Sequence, residues 1–137
     1  MDNSPHILIV DDDEYTRDSI DFILQSARFL VSSARNLGEA LKKIQLAESQ
    51  GCPVQLVIID LQMPVSGGLA LLEELQHFRS YYALIAISAY GDTELRTGLR
   101  ERGCAGYLDK PFNDQQLIQA VTRGLKKKNH SSHVHLV

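Results

Sequence analysis

Short β-branched apolar runs alternate with longer segments of helical periodicity along most of the chain. Ile7–Val10 reads as a first strand. From Glu14 to Ser26, Ile20, Ile23 and Leu24 fall on one face, which predicts a helix. Phe29–Ser33 is a second strand, more polar and therefore suited to a sheet edge. Asn36, with Glu39 three residues on, forms a capping pair that opens a helix carrying Ala40, Leu41, Ile44 and Ala47. Gln50-Gly51-Cys52-Pro53 is a turn. Val54–Asp60 is the most apolar strand, as expected where both faces of a strand are covered.

Pro64-Val65-Ser66-Gly67-Gly68 then breaks the chain before a helix carrying Leu69, Leu72 and Leu75. Ala83–Ser88 is a fourth strand. Thr93 to Glu101 reads as a weaker helix, interrupted by Gly98 and stopped by Gly103. Gly106–Leu108 is a short fifth strand. Asn113, with Gln116 three residues on, opens a last helix through Leu117, Val121 and Leu125. Strands alternating with helices of this length predict βαβ units and an α/β fold on a parallel sheet, and right-handed crossovers leave few arrangements of it. The segment Asn129–Val137 is polar and is expected to fray, which leaves one domain over residues 1–128.

Composition narrows the function classes. A chain of 137 residues with 44% hydrophobic residues makes one domain with a real core. A net charge of -3 argues against a broad nucleic-acid surface. The basic run Lys126-Lys127-Lys128 is expected to be a solvated last helical turn, where cations suit the helix dipole. No leader-like pattern opens the sequence and no apolar run reaches bilayer length. Cys52 and Cys104 lack metal spacing. A cytosolic protein with reduced thiols and no membrane partner is expected.

The chemistry lies where strands end. Asp11-Asp12-Asp13-Glu14 follows the first strand, Asp60 ends the third, Ser88 the fourth, and Lys110-Pro111-Phe112 follows the fifth. In an open parallel sheet, ligands gather outside the carboxyl ends of the strands. Converging carboxylates repel one another, and a divalent cation resolves the conflict. Hard oxygen ligands suit Mg2+. One acid after Val10 is an ordinary helix cap; four in a row exceed what a cap needs. Asp60 is a candidate nucleophile toward phosphorus. Lys110 precedes a proline, whose peptide bond can be cis and so turn the side chain sharply. Its ammonium would offset charge on a phosphoryl group, and Ser88 could donate a hydrogen bond to it.

Taken together, Ile7–Asp13, Val57-Ile58-Ile59-Asp60-Leu61-Gln62-Met63-Pro64, Ile87-Ser88-Ala89 and Gly103–Phe112 resemble the response-regulator receiver domain of two-component signalling. The likeness runs from Ile7 to about Leu125. It implies a flavodoxin-like doubly wound five-stranded parallel sheet, order 2-1-3-4-5, with five helices. It further implies that Asp60 accepts the phosphoryl group from a histidine kinase or histidine phosphotransfer protein. Asp12, Asp60 and the Gln62 backbone carbonyl would bind Mg2+, with Asp11 acting through water. Lys110 would pair with the phosphoryl group, Ser88 would move to bond it, and Ala89 would contact it through its backbone. Tyr107 matches the switch aromatic, and Gln62 and Tyr90 the positions that tune acyl-phosphate lifetime. The protein would be a switch rather than a turnover enzyme, assisting its own phosphoryl transfer and loss. A dimer through the Thr93 helix, the fifth strand and the last helix is a further implication. Gly67-Gly68 departs from the Asp-Gly pair common in the family after the Met-Pro step.

Three alternatives differ in their chemistry. A flavodoxin-like flavin binder needs a Gly-rich phosphate cradle where this chain has Asp11–Glu14. A haloacid-dehalogenase-like phosphatase wants an acid two residues after its nucleophile, where Gln62 stands. A receiver-like interaction module independent of phosphorylation would have no use for the complete acid, hydroxyl and lysine set.

Overall fold

The computed structural model describes residues 4–61, 82–88, 93–101 and 103–135. Five strands, β1 (His6–Val10), β2 (Leu30–Ala34), β3 (Leu56–Asp60), β4 (Ala83–Ser88) and β5 (Gly106–Asp109), form one parallel sheet in the order β2-β1-β3-β4-β5. The described helices are α1 (Glu14–Ser26), α2 (Leu37–Ser49), α3 (Thr93–Glu101) and α4 (Asp114–His135). This is the doubly wound order expected from the sequence, with the polar strand β2 at one edge. The helix expected around Leu69, Leu72 and Leu75 lies outside the described residues.

The strands bury both faces, so side chains of alternate parity feed two cores. Ile7, Ile9, Leu56, Ile58, Ile85 and Ile87 pack against Ile20 and Leu24 of α1 and Leu117 and Val121 of α4. Leu8, Val10, Val57, Ile59, Leu84 and Ala86 pack against Ala40 and Ala47 of α2 and Leu99 of α3. Helix α4 packs tightly on the sheet at Gly124, where an added Cβ would stand 2.8 Å from Leu56 Cδ1 and 3.1 Å from Ile85 Cδ1. At Gly98 the expected interruption does not occur. The helix runs through it, a Cβ added there would meet open space, and Leu99 one residue on is buried.

The caps follow the sequence. Asn36 Oδ1 accepts from the Glu39 amide at 2.9 Å. Asn113 and Gln116 exchange two bonds, the Asn113 amide to Gln116 Oε1 at 2.9 Å and the Gln116 amide to Asn113 Oδ1 at 2.8 Å, a reciprocal capping box. At the amino end of the sheet, buried His6 bonds Ser32 Oγ through Nε2 at 2.7 Å and the Cys52 carbonyl through Nδ1 at 2.8 Å. A carbonyl only accepts, so Nδ1 carries a proton. Helix α4 stays helical through 129–135, the segment whose composition suggests a frayed tail, so Lys126-Lys127-Lys128 is not its last turn.

Candidate functional site

Asp11, Asp12, Asp60, Ser88 and Lys110 each stand at or just past the end of a strand. Beyond β1 the chain leaves the sheet through Asp11, whose amide bonds the Ala34 carbonyl of β2 at 3.1 Å. The acidic run then divides its labour. Asp13 is the N-cap of α1, its Oδ2 accepting from the Thr16 amide at 3.1 Å, and these bonds from Thr16 hold its carboxyl below the usual value. Glu14 sits in the first turn, where a negative charge suits the helix dipole. Asp11 turns inward instead and is 2% exposed, with Oδ1 accepting from the Asp13 amide at 2.9 Å. Capping thus accounts for Asp13 and Glu14 and leaves Asp11 over. Asp12 is half-buried at the same strand end.

Asp60, the last residue of β3, is buried. Lys110, just past β5, is carried there by its amide bond to the Ser88 carbonyl at 2.7 Å, and the Lys110–Pro111 peptide is cis. Lys110 Nζ reaches Asp60 Oδ2 at 2.5 Å. Three strand ends therefore converge on one point: Asp11, Asp60 and Lys110.

The electrostatics follow from burial. The Asp11 carboxyl is raised from 3.8 to about 7. Burial is the largest cause and the Asp13 amide opposes it. The Asp60 carboxylate, able to share the Asp11 proton, adds to the shift, and Lys110 again opposes. Asp11 Oδ2 is buried with no hydrogen-bond partner among the described residues. An orphaned carboxylate oxygen beside a second carboxylate is a donor set for a hard cation. Among the described residues no three His, Cys, Asp or Glu side chains gather closely enough to hold a metal by themselves. Mg2+ commonly binds through one or two carboxylates and keeps several waters.

Ser88, buried at the end of β4, is paired in register with Asp109. Its hydroxyl and the Asp109 carboxylate both act on the Tyr107 phenol. Burial raises the phenol above its ordinary value, with Asp109 adding to the shift and Ser88 and Arg96 opposing it. Arg96 of α3 stacks its guanidinium 5.0 Å from the Tyr107 ring centroid and pairs with Asp109. Arg96 and Asp109 were not foreseen. They stand 13 residues apart on different elements, and no local pattern announces their contact. Gln62, Ala89 and Tyr90 lie outside the described residues.

Among the described residues no helix is long and apolar enough to cross a membrane. The family model described as the response regulator receiver domain matches residues 7–122. The transcriptional regulatory protein FixJ of Azorhizobium caulinodans is 31% identical over 125 residues, covering 91% of this chain and 57% of that protein. FixJ of Bradyrhizobium diazoefficiens is 30% identical over 130 residues, covering 93% and 60%. The chain thus spans less than two thirds of either regulator. A CheY-like receiver domain protein from Methanospirillum hungatei superposes with a TM-score of 0.79 at 28% identity, over 94% of this chain and 99% of that one. NtrX from Brucella abortus superposes with a TM-score of 0.82 at 28% identity, over 96% of this chain and 29% of that one. With the sheet order, the strand-end site and the family match in agreement, the chain belongs to the response regulator receiver domain family, the switch modules of two-component signal transduction.

Proposed function

We propose that Asp60 is the acceptor of a phosphoryl group delivered by a histidine kinase or a histidine phosphotransfer protein. The observation that carries this is the Lys110–Asp60 pair, a buried carboxylate at one strand end held by an ammonium from another. An Asp60 oxygen attacks the phosphorus of the partner's phosphohistidine. The O–P bond forms, the N–P bond breaks, and its electron pair returns to the imidazole. The Lys110 ammonium offsets charge on the phosphoryl oxygens. Ser88 donates its hydroxyl proton to one of them and the Ala89 amide serves another.

Asp12, Asp60 and the Gln62 carbonyl are the proposed Mg2+ ligands, with Asp11 acting through water. When bound, the ion supplies charge neutralisation at the phosphoryl oxygens. The orphaned Asp11 Oδ2 and the mutual repulsion of Asp11 and Asp60 support this fit. As Ser88 turns to the phosphoryl group it leaves Tyr107, and Tyr107 repositions against α3. Gln62 and Tyr90 are the proposed residues that set how long the acyl phosphate lasts. Residues 1–128 make up the receiver unit and 129–137 an appendage. We place it in the cytoplasm, where Cys52 and Cys104, which form no disulfide, stay thiols.

Labelling with radioactive acetyl phosphate tests the assignment. Asp60→Asn is expected to take up no label while its circular dichroism matches the parent. Label retained in that variant removes Asp60 from the acceptor role.

A further inference from the structure

Tyr107 has three polar neighbours of different kinds. The Ser88 hydroxyl at the end of β4 and the Asp109 carboxylate at the end of β5 both act on its phenol. The Arg96 guanidinium, carried by α3, lies 5.0 Å from its ring centroid. Arg96 also pairs with Asp109 Oδ2, so one side chain grips both the ring and the carboxylate beside it. Asp109 Oδ1 is buried with no hydrogen-bond partner among the described residues, which makes the guanidinium the more valuable to that carboxylate. An arginine suits the place. Its flat guanidinium stacks on an aromatic face while its fork donates to a carboxylate, and the compact ammonium of lysine does not combine the two.

A tie between α3 and β5 needs only the Arg96–Asp109 pair. Here the pair is joined through a ring that also meets Ser88. Given Asp60 as the phosphoryl acceptor, on which this latch depends, Ser88 turns to the phosphoryl group only by leaving the phenol. The phenol in turn moves only by leaving the guanidinium and Asp109. We infer that Arg96 and Asp109 are positioning residues that latch Tyr107 in its unphosphorylated place and thereby set how readily Ser88 is released to the phosphoryl group. Neither belongs to the acceptor set of Asp60, Lys110 and Ser88. The latch biases an equilibrium between two arrangements, and the affinity for a phosphoryl group scales with the fraction that is already released. Arg96 and Asp109 are both partly exposed, at 48% and 35% of their side chains, so their contacts are modest and the latch yields to a ligand.

Beryllofluoride with Mg2+, a mimic of the phosphoryl group, titrated into the full chain and followed by NMR, tests the latch. Arg96→Ala is expected to bind it about threefold to tenfold more tightly than the parent. Arg96→Lys, which keeps the charge and loses the planar fork, should gain less. In a Tyr107→Ala background Arg96→Ala should add nothing, because it acts through the ring. Labelling with 3-fluorotyrosine reads the ring itself. The Tyr107 signal, assigned by its loss in Tyr107→Phe, should move in ligand-free Arg96→Ala toward its position in the beryllofluoride-bound parent. Should Arg96→Ala fail to fold, Asp109→Asn must give the tighter binding. A parent that binds beryllofluoride no less tightly than these variants overturns the latch alone, and a lowered urea midpoint at equal affinity marks a merely structural tie. An equal gain in the Tyr107→Ala background overturns it too. A parent that takes up no beryllofluoride overturns the Asp60 assignment and the latch with it.

Discussion

Lys110 Nζ lies 2.5 Å from Asp60 Oδ2, although 50 residues separate the two along the chain. The pair holds together the ends of β3 and β5, which are not neighbours in the sheet. It also places the Lys110 ammonium beside two buried acids. Lys110→Ala leaves Asp11 and Asp60 facing each other without it. Phosphoryl uptake from acetyl phosphate should slow by roughly 10²-fold, the usual effect of losing one charge-stabilising donor. Quench-flow labelling checks this, and an unchanged rate removes Lys110 from the transfer step.

Asp11 gives the fold a pH dependence with a definite sign. Its carboxyl is held up to about 7 in the folded protein and titrates near 3.8 when unfolded. Between those values the folded state keeps a proton that the unfolded state has lost. Stability therefore falls as pH rises through this window, and the penalty is complete above 7. Asp11→Asn should flatten that slope and raise Tm at pH 8 relative to the parent. Scanning calorimetry from pH 5 to 8 reads both effects, and parallel curves for the two proteins would refute the account.

Magnesium should respond to the same proton. A cation at the Asp11–Asp60 site competes with protonation of Asp11, and binding only to the folded state raises Tm by mass action. The Tm increase on adding Mg2+ should be clearly larger at pH 8 than at pH 5.5, and should vanish in Asp60→Asn. An increase of equal size at both pH values would place the ion elsewhere.

Gly124 sets the distance between α4 and the sheet. Alanine there adds helix propensity of about 1 kcal/mol. Its methyl would crowd Leu56 Cδ1 and Ile85 Cδ1, on side chains that are fully buried. Overpacking of this kind costs about 1–3 kcal/mol, so the net effect of Gly124→Ala is destabilising. Urea unfolding should show a lower midpoint at unchanged slope; a higher midpoint would mean that Leu56 yields.

Asn113→Ala breaks the capping box that starts α4 just after Lys110-Pro111-Phe112. A loss of about 1 kcal/mol is expected, with faster amide exchange at Gln116 and Leu117 than in the parent. Exchange unchanged at both amides would show that the first turn needs no cap.

What the sequence displayed and what it hid have different physical origins. Strands buried on both faces advertise themselves as apolar runs, so β1, β3 and β4 were legible, as was β2 at the edge through its serines. Caps are local, so Asn36–Glu39 and Asn113–Gln116 were legible too. Asp11, Asp60, Ser88 and Lys110 could be named because each directly ends or follows a strand. The split within the acidic run could not be read: whether Asp11 or Asp13 caps α1 depends on which side chain the sheet buries. Lys127 is not at a helix end because α4 continues past it. The Arg96–Asp109 contact needed the crossover from α3 to β5 to exist first.

His6 has a consequence at the opposite pole of the molecule from the acids. Its imidazole rivets the first strand to Ser32 on the edge strand and to the Cys52 carbonyl in the loop ahead of the third. One rim of the sheet is thereby clamped across three successive segments. That rim is fastened by the hydrogen bonds of one imidazole, the rim bearing Asp60 and Lys110 by an ion pair.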